Sequence, residues 1–362
     1  MIVRQRLPLL AAAGISLLAG LWAGLVRLGW DLPSLLVSLP AGHGSLMISG
    51  FLGTLISLER AVALSHHQNG RPWFYAAPLL SGLGAVALLT TIPPVVGRGL
   101  TVLGASGLVL IFLVIIRMQP TTDHIVMSVG AGLWLAGNGL WLAQWPIHRV
   151  VPFWAGFLVL TIAGERLELS RVLLIKSTVR LAFLLIVGII LLGLLLSLAN
   201  FTTGMRISGA GLLALGLWLL RFDISRRTIR SKGLTRFIAA CLLPGYIWLV
   251  VGGVLWLLYG GQFTAGPIYD AMLHTIFVGF VISMIFGHAP VIFPAVLNIP
   301  IPYSPIFYTP LLLLHLSLLV RLIGDLCTWL PVRRWGGMLN EAAIVLFFVV
   351  TAVSTLRRKK PS

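Results

Sequence analysis

The chain has 362 residues, of which 58% are hydrophobic and only 10% are charged. A soluble domain carries roughly 25% charged residues, so this composition excludes a large soluble domain and indicates an integral membrane protein. The net charge of +17 would suit nucleic acid, but in a membrane protein excess Lys and Arg usually marks cytoplasmic loops. We therefore expect the lipid bilayer, and no nucleic acid, as the partner of this surface.

Apolar runs of about 20 residues are long enough to cross a bilayer as helices. Their number predicts an all-α polytopic transmembrane bundle of about twelve spans, with residues 1–362 forming a single integral membrane domain. The predicted spans are about 8–29, 42–64, 73–92, 96–117, 123–145, 150–174, 178–199, 205–221, 235–259, 267–296, 305–326 and 336–356.

The basic residues predict the orientation of these spans. With the N-terminus inside, nineteen Lys and Arg fall at or near the cytoplasmic side and seven toward the outside. Because positive residues favour the cytoplasmic side, we expect both termini to be cytoplasmic.

The tenth predicted span carries three ionisable residues, Asp270, His274 and His288, in an otherwise apolar run. Residues 18 apart on an α-helix point in the same direction, so Asp270 and His288 would share one face and His274 would lie about 40° away. Ionisable groups at membrane depth usually face a bundle interior, a cavity or a cofactor. The alternative is structural, with Asp270 and His274 at the membrane interface and His288 bonded to a neighbouring helix.

Two of the histidines, His43 and His274, are predicted near the outer leaflet, on helices that run in the same direction. Two neutral imidazoles that face each other across a bundle are a usual way to hold a haem iron. The glycines Gly44, Gly279 and Gly287 would leave room for the flat macrocycle. We therefore expect His43 and His274 to be axial ligands.

A second pair, His288 and His315, is predicted at comparable depth in the inner half of the membrane. Neutral imidazole suits copper and iron alike, so this pair could hold copper or one end of another haem. A lone histidine bonded to a neighbouring helix is an equally open interpretation of His315.

Carboxylates and arginines meet at the predicted inner ends of spans 2 and 6. Pairs such as Glu59 with Arg166, or Arg60 with Glu165, would form a salt-bridge clamp between helices, and Glu168 could pair with Arg171 three residues later. The alternatives are a proton path from the cytoplasm, or arginines that hold haem propionates. The members are Glu59, Arg60, Glu165, Arg166 and Glu168.

The propionate interpretation needs an arginine at the depth of the haem. Arg321, beside Asp325 near the predicted outer end of span 11, fits that depth better than the arginines at the inner ends. We therefore include Arg321 among the candidate cofactor-binding residues.

The segments HGSLMISGFLGTLISLER, which starts at His43, and HTIFVGFVISMIFGHAP, from His274 to Pro290, resemble the NnrS family of haem- and copper-containing membrane proteins. Twelve spans with a histidine early in span 2 and histidines on span 10 are also similar to the haem-copper oxidase catalytic subunit. The resemblance implies haem b at His43 and at His274 or His288, copper as a further metal, and a role in nitric oxide or redox metabolism. We also expect a bacterial inner membrane location, and the electron donor of such a protein could be a quinol or a cytochrome.

The chain departs from the oxidase pattern in two ways. The histidines of span 10 are 14 residues apart instead of forming an HxH, and spans 6 and 7 contain no histidine. An oxygen-reducing binuclear centre is therefore not expected, and any membrane oxidoreductase activity would be of another kind.

Two other classes of function stay open. The first is a proton-coupled secondary transporter, with a helix broken near Gly287–Pro294 as its binding site. The second is a structural or assembly protein whose polar residues only hold helices together.

Overall fold

The computed structural model describes residues 3–33, 36, 38–67, 72–170 and 176–356, with the side chains of 3–5 and 66–67 left aside. These residues form helices and turns, and no strand occurs among them. Eleven of the described helical stretches are long and apolar enough to cross a membrane. The protein is therefore an all-α, multi-pass membrane protein, as the sequence predicts.

The first six predicted spans correspond to the helices of the N-terminal part of the chain. These are α1 (Val3–Arg27), α2 (His43–Ser45), a π-helix π1 (Leu46–Gly53), α3 (Thr54–His67), α4 (Ala76–Ala87), α5 (Pro94–Met118), α6 (Thr122–Leu142) and α7 (Ile147–Leu169). The elements α2, π1 and α3 follow one another without interruption and form one span.

The C-terminal part supplies the other six predicted spans. It contains α8 (Ser177–Ala199), α9 (Phe201–Phe222), the short α10 (Ser225–Thr228), α11 (Gly233–Tyr259), α12 (Pro267–His274), a π-helix π2 (Thr275–Ile282), α13 (Ser283–Leu297), α14 (Tyr308–Leu326) and α15 (Leu330–Leu356). Here α12, π2 and α13 together form one span.

The chain is organised as two compact units. The first consists of Met1–Gly164 with Val296–Asn298, and the second of Glu165–Ala295 with Ile299–Ser362. In the first unit α1 packs on π1 and α4, and α5 packs between α4 and α6. In the second unit α9 packs between α8 and α11, α11 packs on π2, and α14 packs on both α12 and α15.

The third predicted span, 73–92, is shorter than expected. A 3₁₀ turn at Pro72–Tyr75 leads into the twelve residues of α4, and the chain then turns until α5 begins at Pro94. Pro93 and Pro94 keep α4 and α5 from joining into one helix, since proline lacks the backbone N–H and disfavours helical geometry in the residue before it.

The predicted helix break near Gly287–Pro294 is wrong. The helix α13 runs continuously through Pro290 and Pro294, and the irregular part of this span is π2, about one turn earlier. In a membrane bundle, neighbouring groups and local adjustments tolerate prolines within a helix.

The π-helix also changes which residues share a face. The prediction that Asp270 and His288 point the same way assumed α-helical geometry throughout, and that assumption is wrong. Hydrogen bonds in a π-helix span five residues instead of four, so each residue turns the helix by a smaller angle. Because π2 lies between Asp270 and His288, the two residues do not fall on one face of the span.

Candidate functional site

Each unit contains one histidine at the entrance of a π-helix. His43 opens α2, three residues before the eight-residue π1, and His274 ends α12 directly before the eight-residue π2. Both histidines are half-buried. Because π-helices are rare and occur frequently at functional sites, these two positions are the first candidates for ligand binding.

The ring of His43 is oriented by the backbone of α1. Its Nδ1 lies 2.7 Å from the carbonyl oxygen of Gly20. A carbonyl can only accept, so Nδ1 carries the proton and Nε2 holds the lone pair. A side chain on Gly20 would meet the Met47 sulfur at 2.7 Å, so the close approach of α1 to this span depends on the glycine.

His274 has the same tautomer for a similar reason. Its Nδ1 lies 2.9 Å from the backbone oxygen of Asp270 and 3.4 Å from the carboxylate Oδ1 of the same residue. Histidines that bind metals usually donate their other ring N–H to a carbonyl or carboxylate, which fixes the ring and raises its basicity. His43 and His274 both fit that arrangement.

Arg321 holds the carboxylate of Asp270 in place. Its Nε donates to Asp270 Oδ2 at 2.8 Å and its Nη2 donates to Oδ1 at 3.0 Å. Such a two-point contact is among the strongest and most directional pairs in proteins. Arg321, predicted to hold a haem propionate, thus binds the residue that orients His274.

A second arginine and a second aspartate complete this group, which we call the Asp270 cluster: Asp270, His274, Arg321, Asp325 and Arg333. Arg333 Nη2 lies 3.4 Å from Asp270 Oδ1, and its Nε lies 2.8 Å from Asp325 Oδ1. Asp325 is fully buried and Arg321 is 6% exposed. The cluster joins α12, α14 and α15 by charge.

Two glycines explain why α14 and α15 come close enough to form this cluster. A methyl group on Gly324 would overlap the backbone of Arg333, and one on Gly336 would overlap the backbone of Arg321. Small residues let membrane helices approach closely, and here they bring the two arginines to the same carboxylates.

His288 belongs to a different group, the Arg166 cluster: Arg166, Ser170, Asp223 and His288. The Nδ1 of His288 donates to the Met284 carbonyl at 2.7 Å, so its Nε2 accepts from Arg166 Nη1 at 3.0 Å. Arg166 Nε donates to Asp223 Oδ2 at 3.0 Å, and Arg166 is 2% exposed. The nitrogen that would bind a metal is therefore held by a guanidinium.

Asp223 is a buried ion-pair residue that the sequence prediction missed. It is 2% exposed and accepts bonds from Arg166, from the Ser170 hydroxyl at 3.4 Å and from the Ser225 backbone N–H at 2.8 Å. It is the one acid in RFDISRRTIRSKGLTR, between residues 221 and 236, which carries six basic residues. A lone acid in such a run is a signal for an inward-facing ion pair.

The other predicted carboxylates are Glu59 on α3 and Glu165 and Glu168 on α7. Glu59 pairs with its neighbour Arg60, Oε1 to Nη2, at 3.3 Å. Glu165 and Glu168 are half-buried. The expected pairing of Glu168 with Arg171 lies outside the described residues.

Both nitrogens of His315 form hydrogen bonds within the protein. Trp248 Nε1 donates to Nδ1 at 3.0 Å, so Nε2 carries the proton and faces the Ser283 hydroxyl at 3.4 Å. Ser283 in turn donates to the Cys241 carbonyl at 2.7 Å. Neither nitrogen of His315 is therefore available to a metal ion, and Nε2 of His288 accepts from Arg166 instead.

Open space lies beside only one of the three glycines that were expected to make room for a macrocycle. A side chain on Gly44 would meet nothing within 4 Å among the described residues. At Gly279 the space is filled by Trp248, and at Gly287 by Cys241 at 3.2 Å. The expectation for Gly279 and Gly287 is therefore wrong, because both glycines serve helix packing.

Comparison with known proteins gives one family. The family described as a domain of unknown function, DUF8744, matches residues 6–356. No curated protein and no solved structure matches the chain.

Proposed function

The chain belongs to the DUF8744 family, and we propose that it is a haem b-binding integral membrane protein in which His43 and His274 each offer an axial ligand. One observation carries the proposal. In each unit a half-buried histidine stands within three residues of a π-helix, and its Nδ1 bonds to a backbone carbonyl. This tautomer is the one in which Nε2 can bind iron.

The surroundings of the two histidines support the choice of haem over a free metal ion. Structural zinc and copper sites usually draw several His, Cys or carboxylate ligands together. Haem instead needs only one or two axial side chains, because its own nitrogens complete the coordination. His43 bonds to a glycine carbonyl and lies beside open space at Gly44, which suits a flat ligand.

Haem bound at these histidines would supply one-electron transfer. Its electrons would come from a quinol or a cytochrome, and the redox reaction would concern nitric oxide, as the resemblance to NnrS-like proteins suggests. The bacterial inner membrane is the location that fits such a donor. Within this proposal Arg321 and Asp270 act as positioning residues for His274.

An absorption spectrum tests this proposal. The detergent-purified full-length protein, from haem-replete cells, should show a Soret band and, after dithionite reduction, a b-type α band. His43→Ala and His274→Ala should each lose or shift these bands. His315→Ala is the matched control and should keep them, because both nitrogens of His315 are already bonded within the protein.

A colourless wild-type protein would overturn the haem proposal and favour a proton-coupled transporter. The Arg166 cluster is the observation behind that second candidate, since a histidine that contacts a buried ion pair can take part in a proton relay. Proton-coupled uptake by reconstituted vesicles, lost in His288→Ala, would support it.

A further inference from the structure

Asp325 is a fully buried carboxyl group without a hydrogen-bond donor. It is 0% exposed, and neither of its oxygens accepts a hydrogen bond from any described residue. Arg333 Nε lies 2.8 Å from Oδ1, but its N–H does not point at that oxygen. An ionised carboxylate buried in this way is costly.

A second carboxyl group, that of Asp270, shares a guanidinium with Asp325. Arg333 reaches Asp270 with Nη2 at 3.4 Å and Asp325 with Nε at 2.8 Å. Two carboxyl groups that share a site do not both ionise readily.

The hydrogen bonds differ between these two acids, and they favour a proton on Asp325. Both oxygens of Asp270 already accept from Arg321, at 2.8 and 3.0 Å, which favours its ionised form. Asp325 has no such donors. We propose that Asp325 binds one exchangeable proton and donates it to Asp270, so that this end of α14 is a proton-storage site.

The site lies next to a candidate ligand. Asp270 accepts the shared proton on its carboxylate, and its backbone oxygen accepts from His274 Nδ1 at 2.9 Å. Loss of the Asp325 proton would add a negative charge to the group that orients His274. This link to haem redox chemistry rests on the proposed function, whereas the proton site itself does not.

Infrared spectroscopy of the full-length protein tests the proton site with or without haem. The wild-type protein should show a band from a buried protonated carboxylic acid, and the band should shift in D₂O because the proton exchanges. Asp325→Asn should remove it. Asp123→Asn is the matched control and should leave it unchanged, because Asp123 is also buried but its carboxylate accepts a bond from Thr121 at 3.1 Å.

Isotope labelling keeps the test independent of how the variants fold. In the wild-type protein, ¹³C-labelled aspartate should shift the band and ¹³C-labelled glutamate should not. The alternative acid is Glu341, which is half-buried on α15. A band that follows the glutamate label would overturn the assignment to Asp325. So would a band that is lost in Glu341→Gln and kept in Asp325→Asn. Absence of any such band would overturn the proton site, and the haem spectrum would be unaffected by that outcome.

Discussion

The second unit buries two ionic clusters that differ in how their carboxylates are satisfied. In the Arg166 cluster, Asp223 receives bonds from a guanidinium, a hydroxyl and a backbone N–H. In the Asp270 cluster, Asp325 receives none from the described residues. A carboxylate with several donors is favoured in its ionised form, and one without donors is favoured in its protonated form. The first cluster is therefore suited to hold helices together, and the second to bind a proton.

The same span carries one histidine of each cluster, His274 and His288. His274 and His288 both have Nδ1 bonded to a backbone oxygen four residues earlier. Yet the carboxylate of the Asp270 cluster orients His274 from its own helix, whereas Arg166 donates to the opposite nitrogen of His288. In the proposed function Nε2 of His274 binds the haem iron, whereas Nε2 of His288 accepts from Arg166.

The largest expected effect comes from breaking the Arg166 cluster. Arg166→Ala would leave Asp223 buried without its main cation, and removal of one partner of a buried ion pair costs about 3–5 kcal/mol. Thermal or denaturant unfolding of the detergent-purified protein measures this change. A loss near that of a surface substitution would mean that water or a neighbouring group replaces the guanidinium, and the cluster would not be a structural lock.

Arg321→Gln should destabilise the protein by less, about 1–3 kcal/mol. Arg333 remains beside Asp270 at 3.4 Å, and a proton can neutralise a carboxylate that loses its partner. The same unfolding measurement serves, with Arg166→Gln as the matched substitution in the other cluster. If both variants lost equal stability, the contrast between a fixed and a protonatable cluster would fail.

The sequence predicts the bundle well because its signal is local. The length of each apolar run sets a span, and eleven such stretches occur among the described residues. The candidate ligands His43 and His274 also stand out locally, since a histidine in an apolar run is conspicuous.

The π-helices leave no such local signal. The segments LMISGFLG and TIFVGFVI are apolar on all sides, so no periodicity separates a π-helix from an α-helix. Their geometry depends on the neighbours that pack against them, such as Trp248 against Gly279. This is why the predicted shared face of Asp270 and His288 is wrong.

The ion pairs depend on residues far apart in the chain. Asp223 pairs with Arg166 across 57 positions, and Asp270 with Arg321 across 51. A buried arginine needs a carboxylate partner, but the sequence does not show which acid that partner is. The packing of the helices determines it. Arg333 reaches the cluster because α15 packs on α14, which the sequence around Arg333 does not reveal.

The smallest effect should come from Asp325→Asn, with a change in stability within about 1 kcal/mol. A protonated carboxyl group and an amide have nearly the same shape, and the amide can donate to Asp270 as the proton does. The substitution therefore removes the proton site without leaving an unpaired charge. Unfolding curves of wild type and Asp325→Asn should nearly coincide, while a loss as large as that of Arg166→Ala would show that Asp325 is ionised and paired with Arg333.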